Sequence, residues 1–189
     1  MPTTMNEKTL EDLIVNWLTN HNQYELGSTN QYDTHYALDT GRLETFLKLT
    51  QPQEVEKSGI FHSPVSKRKF LERLRDEITK RGVVDVLRKG LKHQSNTFVL
   101  YNPLPSALSA EGEERYALNK FSVVRQLRYD AQNPALALDV AIFINGLPVI
   151  TMELKNQITG QNTAHAIAQY RTDRSPNNLL FMPKRCAVH

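Results

Sequence analysis

Three charged residues lie within an otherwise apolar stretch of the sequence, residues 136–155. Asp139 is in its first half, and Glu153 and Lys155 are at its end. An unpaired charge in a buried strand is unfavourable, so these side chains need partners or a ligand. Two carboxylates provide the hard oxygen ligands that divalent metal ions prefer, and a lysine beside such a metal positions water and offsets phosphate charge. The residues predict a metal-dependent phosphodiesterase, with a structural ion pair between Lys155 and one acid as the alternative.

The two acids lie on the two arms of a predicted β-hairpin, because an Asn-Gly dipeptide at positions 145–146 separates two apolar segments. A two-residue turn with regular pairing sets Asp139 opposite Met152, on the other face from Glu153. A three-residue loop with a bulge sets Asp139 opposite Thr151, on the same face as Glu153. A metal site therefore predicts a bulge or a longer turn in this hairpin.

The first half of the sequence predicts mainly helices. Apolar residues at helical spacing indicate a helix that begins near Thr9, and Ser66 is the expected N-cap of a second long helix that ends before Gly82. Residues 21–40 lack periodicity and are predicted to form a long loop. The remaining predictions for this half are a short helix over 43–49, a polar connection up to residue 64, and a helical turn or short strand over 83–87.

From residue 97 the apolar period changes from about 3.6 residues to 2, and β-branched residues become frequent. The predicted elements are strands over 97–101, 121–129, 136–145 and 147–155, a helix over 161–174, and a further strand from Leu179 to Met182, with a loop between the first two strands. This order predicts an α/β fold with a central mixed β-sheet flanked by helices.

The composition indicates one globular unit of 189 residues, of which 40% are apolar and 23% charged. No signal peptide and no run of about 18 apolar residues is present, so we expect neither secretion nor a membrane span. The single cysteine, Cys186, cannot form an internal disulfide and fits a reducing compartment, so the expected location is cytoplasmic. Trp17, Phe70 and Phe143 occupy periodic apolar positions and are predicted to lie in the core.

Positive charge is concentrated in residues 67–92, which contain ten basic and four acidic residues although the whole chain carries a net charge of only +3. Such a block is either a phosphate-facing surface or the solvated face of a helix. Arg125, Arg128, Arg171 and Arg174 flank the acidic residues and are further candidates for phosphate contacts, or for pairing with local acids.

The wider sequence resembles a known nuclease family. An acid on one strand and Glu-x-Lys on the next is similar to the PD-(D/E)xK nuclease motif, with Asp139, Glu153 and Lys155 as its members and Leu138 in place of the proline. The segments FSVVRQLRY, LDVAIFINGLPVITMELK and AIAQYRTDR, with VVDVLRKG and NTFVLYNP upstream, resemble the N-terminal region of the R subunit of type I restriction enzymes. The resemblance is strong over residues 82–189 and weaker before them.

This resemblance implies a PD-(D/E)xK (restriction-endonuclease-like) core that cleaves double-stranded DNA with Mg²⁺, or with Mn²⁺ in its place. Asp139, Glu153 and the Leu154 carbonyl would bind the metal, and Lys155 would serve the attacking water. Glu11 matches the glutamate that such families have on their first helix.

The family's downstream Gln-x-x-x-Tyr element is only half present. Gln169 matches its glutamine, but Asp173 stands where the family has tyrosine, and the tyrosine of this chain is the adjacent Tyr170. The resemblance therefore implies a catalytic role for Gln169 and leaves the role of Tyr170 open.

The resemblance also implies partners and a longer parent chain. Residues 1–189 would form a single endonuclease domain, with a mainly helical part over 1–95 and a catalytic sheet core over 96–189, followed by helicase-like motor domains. Target recognition would fall to modification and specificity subunits, and ATP would bind only in the motor domains, because this chain has no P-loop sequence. Two alternatives stay open: another nuclease of this fold that acts in repair or recombination, and a catalytically silent DNA- or protein-docking domain.

Overall fold

The computed structural model describes residues 7–105, 109–154 and 178–188 of the chain. The helices in these ranges are α1 (Glu7–His21), α2 (Thr40–Thr50), α3 (Pro52–Ser58), α4 (Pro64–Arg81), α5 (Val83–Lys89) and α6 (Ala110–Ala117). The strands are β1 (Glu25–Gly27), β2 (Tyr32–Asp33), β3 (Leu38–Asp39), β4 (Leu91–His93), β5 (Asn96–Phe98), β6 (Phe121–Arg128), β7 (Ala137–Ile144), β8 (Leu147–Met152) and β9 (Ala187–Val188). None of the described helices has the length and apolar character that crossing a bilayer requires.

Five strands form the central sheet in the order β1-β6-β7-β8-β9. β1 is parallel to β6, the β6–β7 and β7–β8 pairs are antiparallel, and β9 is parallel to β8. Two smaller sheets pair β2 with β3 and β4 with β5. The predicted α/β fold with a central mixed sheet flanked by helices is confirmed.

Residues 21–40 do not form the predicted loop. They contain β1, which is an edge strand of the central sheet, and the β2–β3 pair. β1 is three residues long and has no alternating burial pattern, so its sequence carries no strand signal. Backbone hydrogen bonds with β6 define this strand, and pairing of that kind depends on the tertiary context.

Two strand predictions are wrong in type or extent. Leu179–Phe181 is a 3₁₀ helix and not the start of a strand, because the side chain of Asn178 caps it by accepting a hydrogen bond from the Leu180 N–H at 3.1 Å. The strand predicted over 97–101 is β5, which pairs with β4 outside the central sheet.

Local capping explains three further differences at the helices. α3 forms in the predicted polar connection and begins with Pro52, whose fixed backbone angle suits a first helical position. α6 forms in a predicted loop, where Ser109 caps it. The N-cap of α4 is Ser63 and not Ser66, because Ser63 Oγ accepts a hydrogen bond from the Ser66 N–H at 3.1 Å, with Pro64 next in the chain.

The buried apolar residues form three clusters. The first, here called the helical cluster, contains residues of the four helices from α2 through α5, residues of β4 and β5, and Leu147 at the turn of the β7–β8 hairpin. Phe70 belongs to this cluster. A second cluster covers one face of the central sheet and contains Phe143. Both phenylalanines are fully buried, so their prediction as core residues is confirmed.

The third cluster joins α1 to the other face of the sheet, here called the α1 face. Val15 of α1 packs there with Val123 of β6 and Val140 of β7. Trp17, predicted to be a core residue, is 60% exposed and stacks on the His21 ring at 4.4 Å. The apolar residues of α1 occupy more than one side of the helix, and only the side with Val15 meets the sheet.

The β7–β8 turn has two residues, Asn145 and Gly146, with φ angles of 50° and 83°, which is the left-handed region that Asn-Gly favours. This turn is buried inside the fold. Asn145 Nδ2 donates to the Leu100 carbonyl at 2.9 Å, and the Gly146 carbonyl accepts from the Asp39 N–H at 2.8 Å. The turn therefore ties the hairpin to the N-terminus of α2.

A β-bulge shifts the register of the same hairpin. Phe143 pairs with Pro148, but Ile142 pairs with Ile150, so Val149 is an extra residue in β8. The predicted irregularity is confirmed as a bulge in the second strand, whereas the turn itself keeps two residues.

Candidate active site

Asp139 on β7 and Glu153 directly after β8 lie near the open end of the β7–β8 hairpin. Beyond the bulge, Val140 pairs with Met152, and one further step of this register sets Asp139 opposite Glu153. Opposite residues of antiparallel strands carry their side chains on one face, with Cβ atoms about 5 Å apart. The predicted bulge is confirmed, but Thr151 was the wrong partner for Asp139, since the bulge moves the register in the other direction. That the two acids share one face stays a prediction.

The Asp139 carboxylate is held at both oxygens by neutral donors. The Leu154 N–H donates to Oδ2 at 2.7 Å, and Gln126 Nε2 donates to Oδ1 at 3.2 Å. Asp139 is partly exposed. Each carboxylate oxygen has further lone pairs beyond those that these bonds use, so the group is oriented and keeps acceptor capacity for a cation.

Glu11 on α1 belongs to the same network. It is 6% exposed, and its Oε1 and Oε2 accept hydrogen bonds from Arg125 Nε at 2.6 Å and from Gln126 Nε2 at 2.7 Å. Arg125 also donates to Asp12 Oδ1 at 2.5 Å. The hydrogen bond to Glu11, with the one to Asp12, raises the pKa of the Arg125 guanidinium. The predicted first-helix glutamate therefore lies one side chain away from Asp139, with both of its oxygens engaged.

Several predicted site residues lie outside the described ranges. These are Lys155 and Gln169, with Tyr170, Arg171 and Arg174. The roles assigned to them stay predictions from the sequence.

The donor chemistry at the end of the hairpin suits a hard divalent cation. Asp139 offers carboxylate oxygens from β7, and Glu153 and Leu154, directly after β8, offer a carboxylate and a backbone carbonyl. Within residues 7–105, 109–154 and 178–188, no three His, Cys, Asp or Glu side chains are grouped closely enough to hold a metal ion. Two acids and one carbonyl are a set of donors that suits Mg²⁺, because this ion keeps several waters.

Gln126 is the site residue that the sequence analysis missed. It donates to both Glu11 and Asp139 through one amide nitrogen. The sequence carried only a weak signal for this residue. Two consecutive polar residues, Arg125 and Gln126, interrupt an otherwise apolar strand pattern.

The basic block of residues 67–92 lies in another part of the fold. α4 packs in the helical cluster around the turn of the hairpin, whereas Asp139 lies five residues along β7 from Ile144, which is about 17 Å in an extended strand. Many cations of the basic block are paired with nearby acids. The pairs are Lys67 with Glu44, Arg68 with Glu72, Arg73 with Glu77, Arg75 with Asp76, and Arg81 and Lys89 with Asp85. The structure favours the solvated helix face over a phosphate-facing surface.

Comparison with known proteins identifies one family. A family model described as Type I restriction enzyme R protein N terminus matches residues 4–184, which is nearly the whole chain. No curated protein matches the sequence. The matched segment includes all the candidate site residues: Glu11, Asp139, Glu153, Leu154, Lys155 and Gln169.

Proposed function

The chain belongs to the family of type I restriction enzyme R protein N termini, and on this basis we propose that it is the nuclease domain of such an R subunit. The family makes it part of a restriction enzyme that acts on DNA together with other subunits. The proposal adds the reaction, which is Mg²⁺-dependent hydrolysis of phosphodiester bonds in double-stranded DNA, and the residues that perform it.

The observation that carries the proposal is the pairing at the open end of the β7–β8 hairpin. The bulge at Val149 leads to the pairing of Val140 with Met152, so that Asp139 and Glu153 come next on the two arms of the hairpin. The Leu154 N–H donates to the Asp139 carboxylate at 2.7 Å. A divalent cation held here would use the carboxylate oxygens of Asp139 and Glu153 and the Leu154 carbonyl.

Each residue has a distinct role in the proposed reaction. Asp139, Glu153 and the Leu154 carbonyl hold the metal ion, which when bound polarises the scissile phosphate and lowers the pKa of water. From the sequence we assign to Lys155 the positioning of the attacking water and the offsetting of phosphate charge through its ammonium group, and to Gln169 a supporting catalytic role. Glu11 acts from α1 through the network that ends on Asp139.

Recognition of a target sequence belongs to partners in this proposal. Backbone contacts are sufficient for cutting at undefined positions, so we assign target recognition to modification and specificity subunits and ATP to motor domains of the parent chain, in a cytoplasmic complex. The family match favours this function over a repair or recombination nuclease. A catalytically silent docking domain is the alternative that experiment must separate.

The test is the position of a metal ion. Crystals of the chain soaked in Mn²⁺ are expected to show anomalous density bound by Asp139, Glu153 and the Leu154 carbonyl, and Asp139→Asn is expected to abolish it. Asp76→Asn is the matched control, since it removes the same charge from the exposed surface of α4 and is expected to leave the peak unchanged.

The second measurement is DNA cleavage by the assembled restriction complex. Asp139→Asn is expected to abolish cleavage while DNA binding persists. Cleavage that survives this substitution, with an empty site in the crystals, would establish the silent docking domain instead.

A further inference from the structure

Gln126 on β6 joins the two carboxylates of the site through a single atom. Its Nε2 lies 2.7 Å from Oε2 of Glu11 and 3.2 Å from Oδ1 of Asp139. A side-chain amide nitrogen carries two N–H groups, so each carboxylate receives one of them. No other described residue donates to both acids. The orientation of Asp139 is thereby coupled to α1.

The backbone at Gln126 is in an unusual conformation for a residue inside a strand. Its φ angle is 46°, in the left-handed region that residues other than glycine, asparagine and aspartate rarely occupy. Such a conformation is unfavourable and is kept where the surrounding structure requires it. A contact of the Gln126 side chain must therefore hold its backbone in this conformation.

The direction of the side chain identifies that contact. Regular alternation would place Val124 and Gln126 on one face, yet Val124 packs with Leu127 on the face away from α1. Because the alternation fails at position 126, the Gln126 side chain joins that of Arg125 on the α1 face, where both contact Glu11.

The neighbouring strand departs from alternation at the position opposite Gln126. Leu138 and Val140 are two residues apart on β7, yet they pack in clusters on opposite faces of the sheet. Arg125 pairs with Val140 and Leu127 with Leu138, so the residue across from Gln126 is Asp139. Both strands therefore distort together at this one pair.

We propose that Gln126 is a positioning residue, whose side-chain amide holds the Asp139 carboxylate in the orientation that binds the divalent metal. This inference rests on the proposed function, because it names what orients the metal ligand. Residues that hydrogen-bond to metal ligands fix the direction of the ligand oxygens, and their loss typically weakens metal binding 10- to 100-fold.

Gln126→Asn is the decisive variant. Asparagine keeps the amide and tolerates a positive φ angle better than glutamine. The relieved backbone strain offsets the hydrogen bond lost to Glu11, so we expect the chain to keep its thermal stability. Its side chain is one methylene shorter and cannot span from Glu11 to Asp139. We therefore expect about tenfold weaker Mn²⁺ binding together with an unchanged or higher melting temperature.

A matched control is available in the chain. Gln94, in the turn between β4 and β5, is exposed and has a φ angle of 54°, so Gln94→Asn makes the same change in the same backbone region away from the site. It is expected to leave Mn²⁺ affinity unchanged. Gln126→Met, which removes both hydrogen bonds at similar size, is expected to weaken Mn²⁺ binding as Gln126→Asn does.

The experiment is a Mn²⁺ titration of the chain followed by EPR, with a metal-free control by NMR. Without metal, the Leu154 amide resonance reports the position of the Asp139 carboxylate, because this N–H donates to Oδ2. We expect the chemical shift of the Leu154 amide to change in Gln126→Asn and to be unchanged in Gln94→Asn.

The outcomes separate this inference from the proposed function. The first outcome is that the original chain binds Mn²⁺ and Asp139→Asn does not, while Gln126→Asn keeps full affinity and an unchanged Leu154 amide shift. In that case Gln126 has no positioning role, and the nuclease proposal stands. If the original chain binds no Mn²⁺, the proposed function fails, and with it the role of Gln126 toward a metal. A melting temperature that falls in step with Mn²⁺ affinity also overturns the inference, since it marks a purely structural residue.

Discussion

Nε of Arg125 lies 2.6 Å from Oε1 of Glu11, so one ion pair joins α1 to β6 across 114 positions of the sequence. The Glu11 side chain is 8% exposed and that of Arg125 is 36% exposed. Together with the small apolar cluster and the hydrogen bond from Gln126 to Glu11, this pair orients the helix on the side of the sheet where Asp139 lies.

Removal of either partner is expected to destabilise the chain unequally. Arg125→Met leaves the buried Glu11 carboxylate with only one neutral donor, and we expect a loss of about 2 kcal/mol. Glu11→Gln leaves Arg125 paired with Asp12, so a smaller loss of about 1 kcal/mol is expected. Urea unfolding of both single variants and the double variant measures the coupling. Strictly additive losses would show that the pair contributes nothing.

Gly146→Ala is expected to disrupt the hairpin turn. A Cβ at this position would lie 2.2 Å from the Asp39 carbonyl oxygen and 2.9 Å from the Leu43 nitrogen, so the N-terminus of α2 must move. A loss of about 3 kcal/mol or failure to fold is expected. Gly41→Ala is the control, because its Cβ would meet nothing closer than 3.6 Å. Thermal unfolding compares the two, and equal melting temperatures would contradict the close contact.

His93 is expected to make the chain less stable in mild acid. Burial, and secondarily the charge of Arg73 on α4, lower the pKa of His93 from its ordinary value of 6.5. The unfolded chain therefore binds this proton at a higher pH than the folded chain. The contribution of His93 to the free energy of unfolding is fully present above about pH 6.5. It is lost as the pH falls toward the lowered pKa of the folded state. Urea unfolding at pH 7.5 and 5.5 measures this effect. Between these two pH values, the free energy of unfolding should fall less in His93→Gln than in the original chain.

The basic block on α4 is expected to contribute little to DNA binding. Lys67 pairs with Glu44 at 2.7 Å and Arg68 lies 3.9 Å from Glu72, in a part of the fold away from Asp139. Changing Lys67, Arg68 and Lys69 together to glutamine should leave the salt dependence of duplex binding unchanged in fluorescence anisotropy. A slope that flattens by about one unit per removed charge would instead identify a phosphate-facing surface.

Arg128 is the contrasting candidate for a phosphate contact. It lies two residues beyond Gln126 on β6, its side chain is exposed, and its backbone N–H donates to Thr29 Oγ1 at 2.9 Å. Arg128→Gln is expected to flatten the salt dependence of DNA binding by about one unit of slope without changing Mn²⁺ affinity. An unchanged slope would remove Arg128 from the DNA-binding surface.

Local signals in the sequence were sufficient for much of the fold. Apolar residues at helical spacing predicted α1 and α4, and alternating β-branched residues with an Asn-Gly turn predicted β6, β7 and β8. These signals depend on interactions between residues close in the chain, which is why they can be read without a structure. They failed at β1, since a three-residue edge strand is defined by its pairing with β6 and not by its own pattern.

The sequence by itself determined the chemistry of the candidate site. Asp139 and Glu153 are charges in apolar strands, and their spacing required an irregular hairpin if both were to lie on one face. Only the tertiary structure decided where the irregularity falls, because the choice between a longer turn and a bulge at Val149 depends on how the buried turn packs against α2. The same holds for Gln126, whose link between Glu11 and Asp139 requires a helix and two strands to meet, a condition that no local pattern contains.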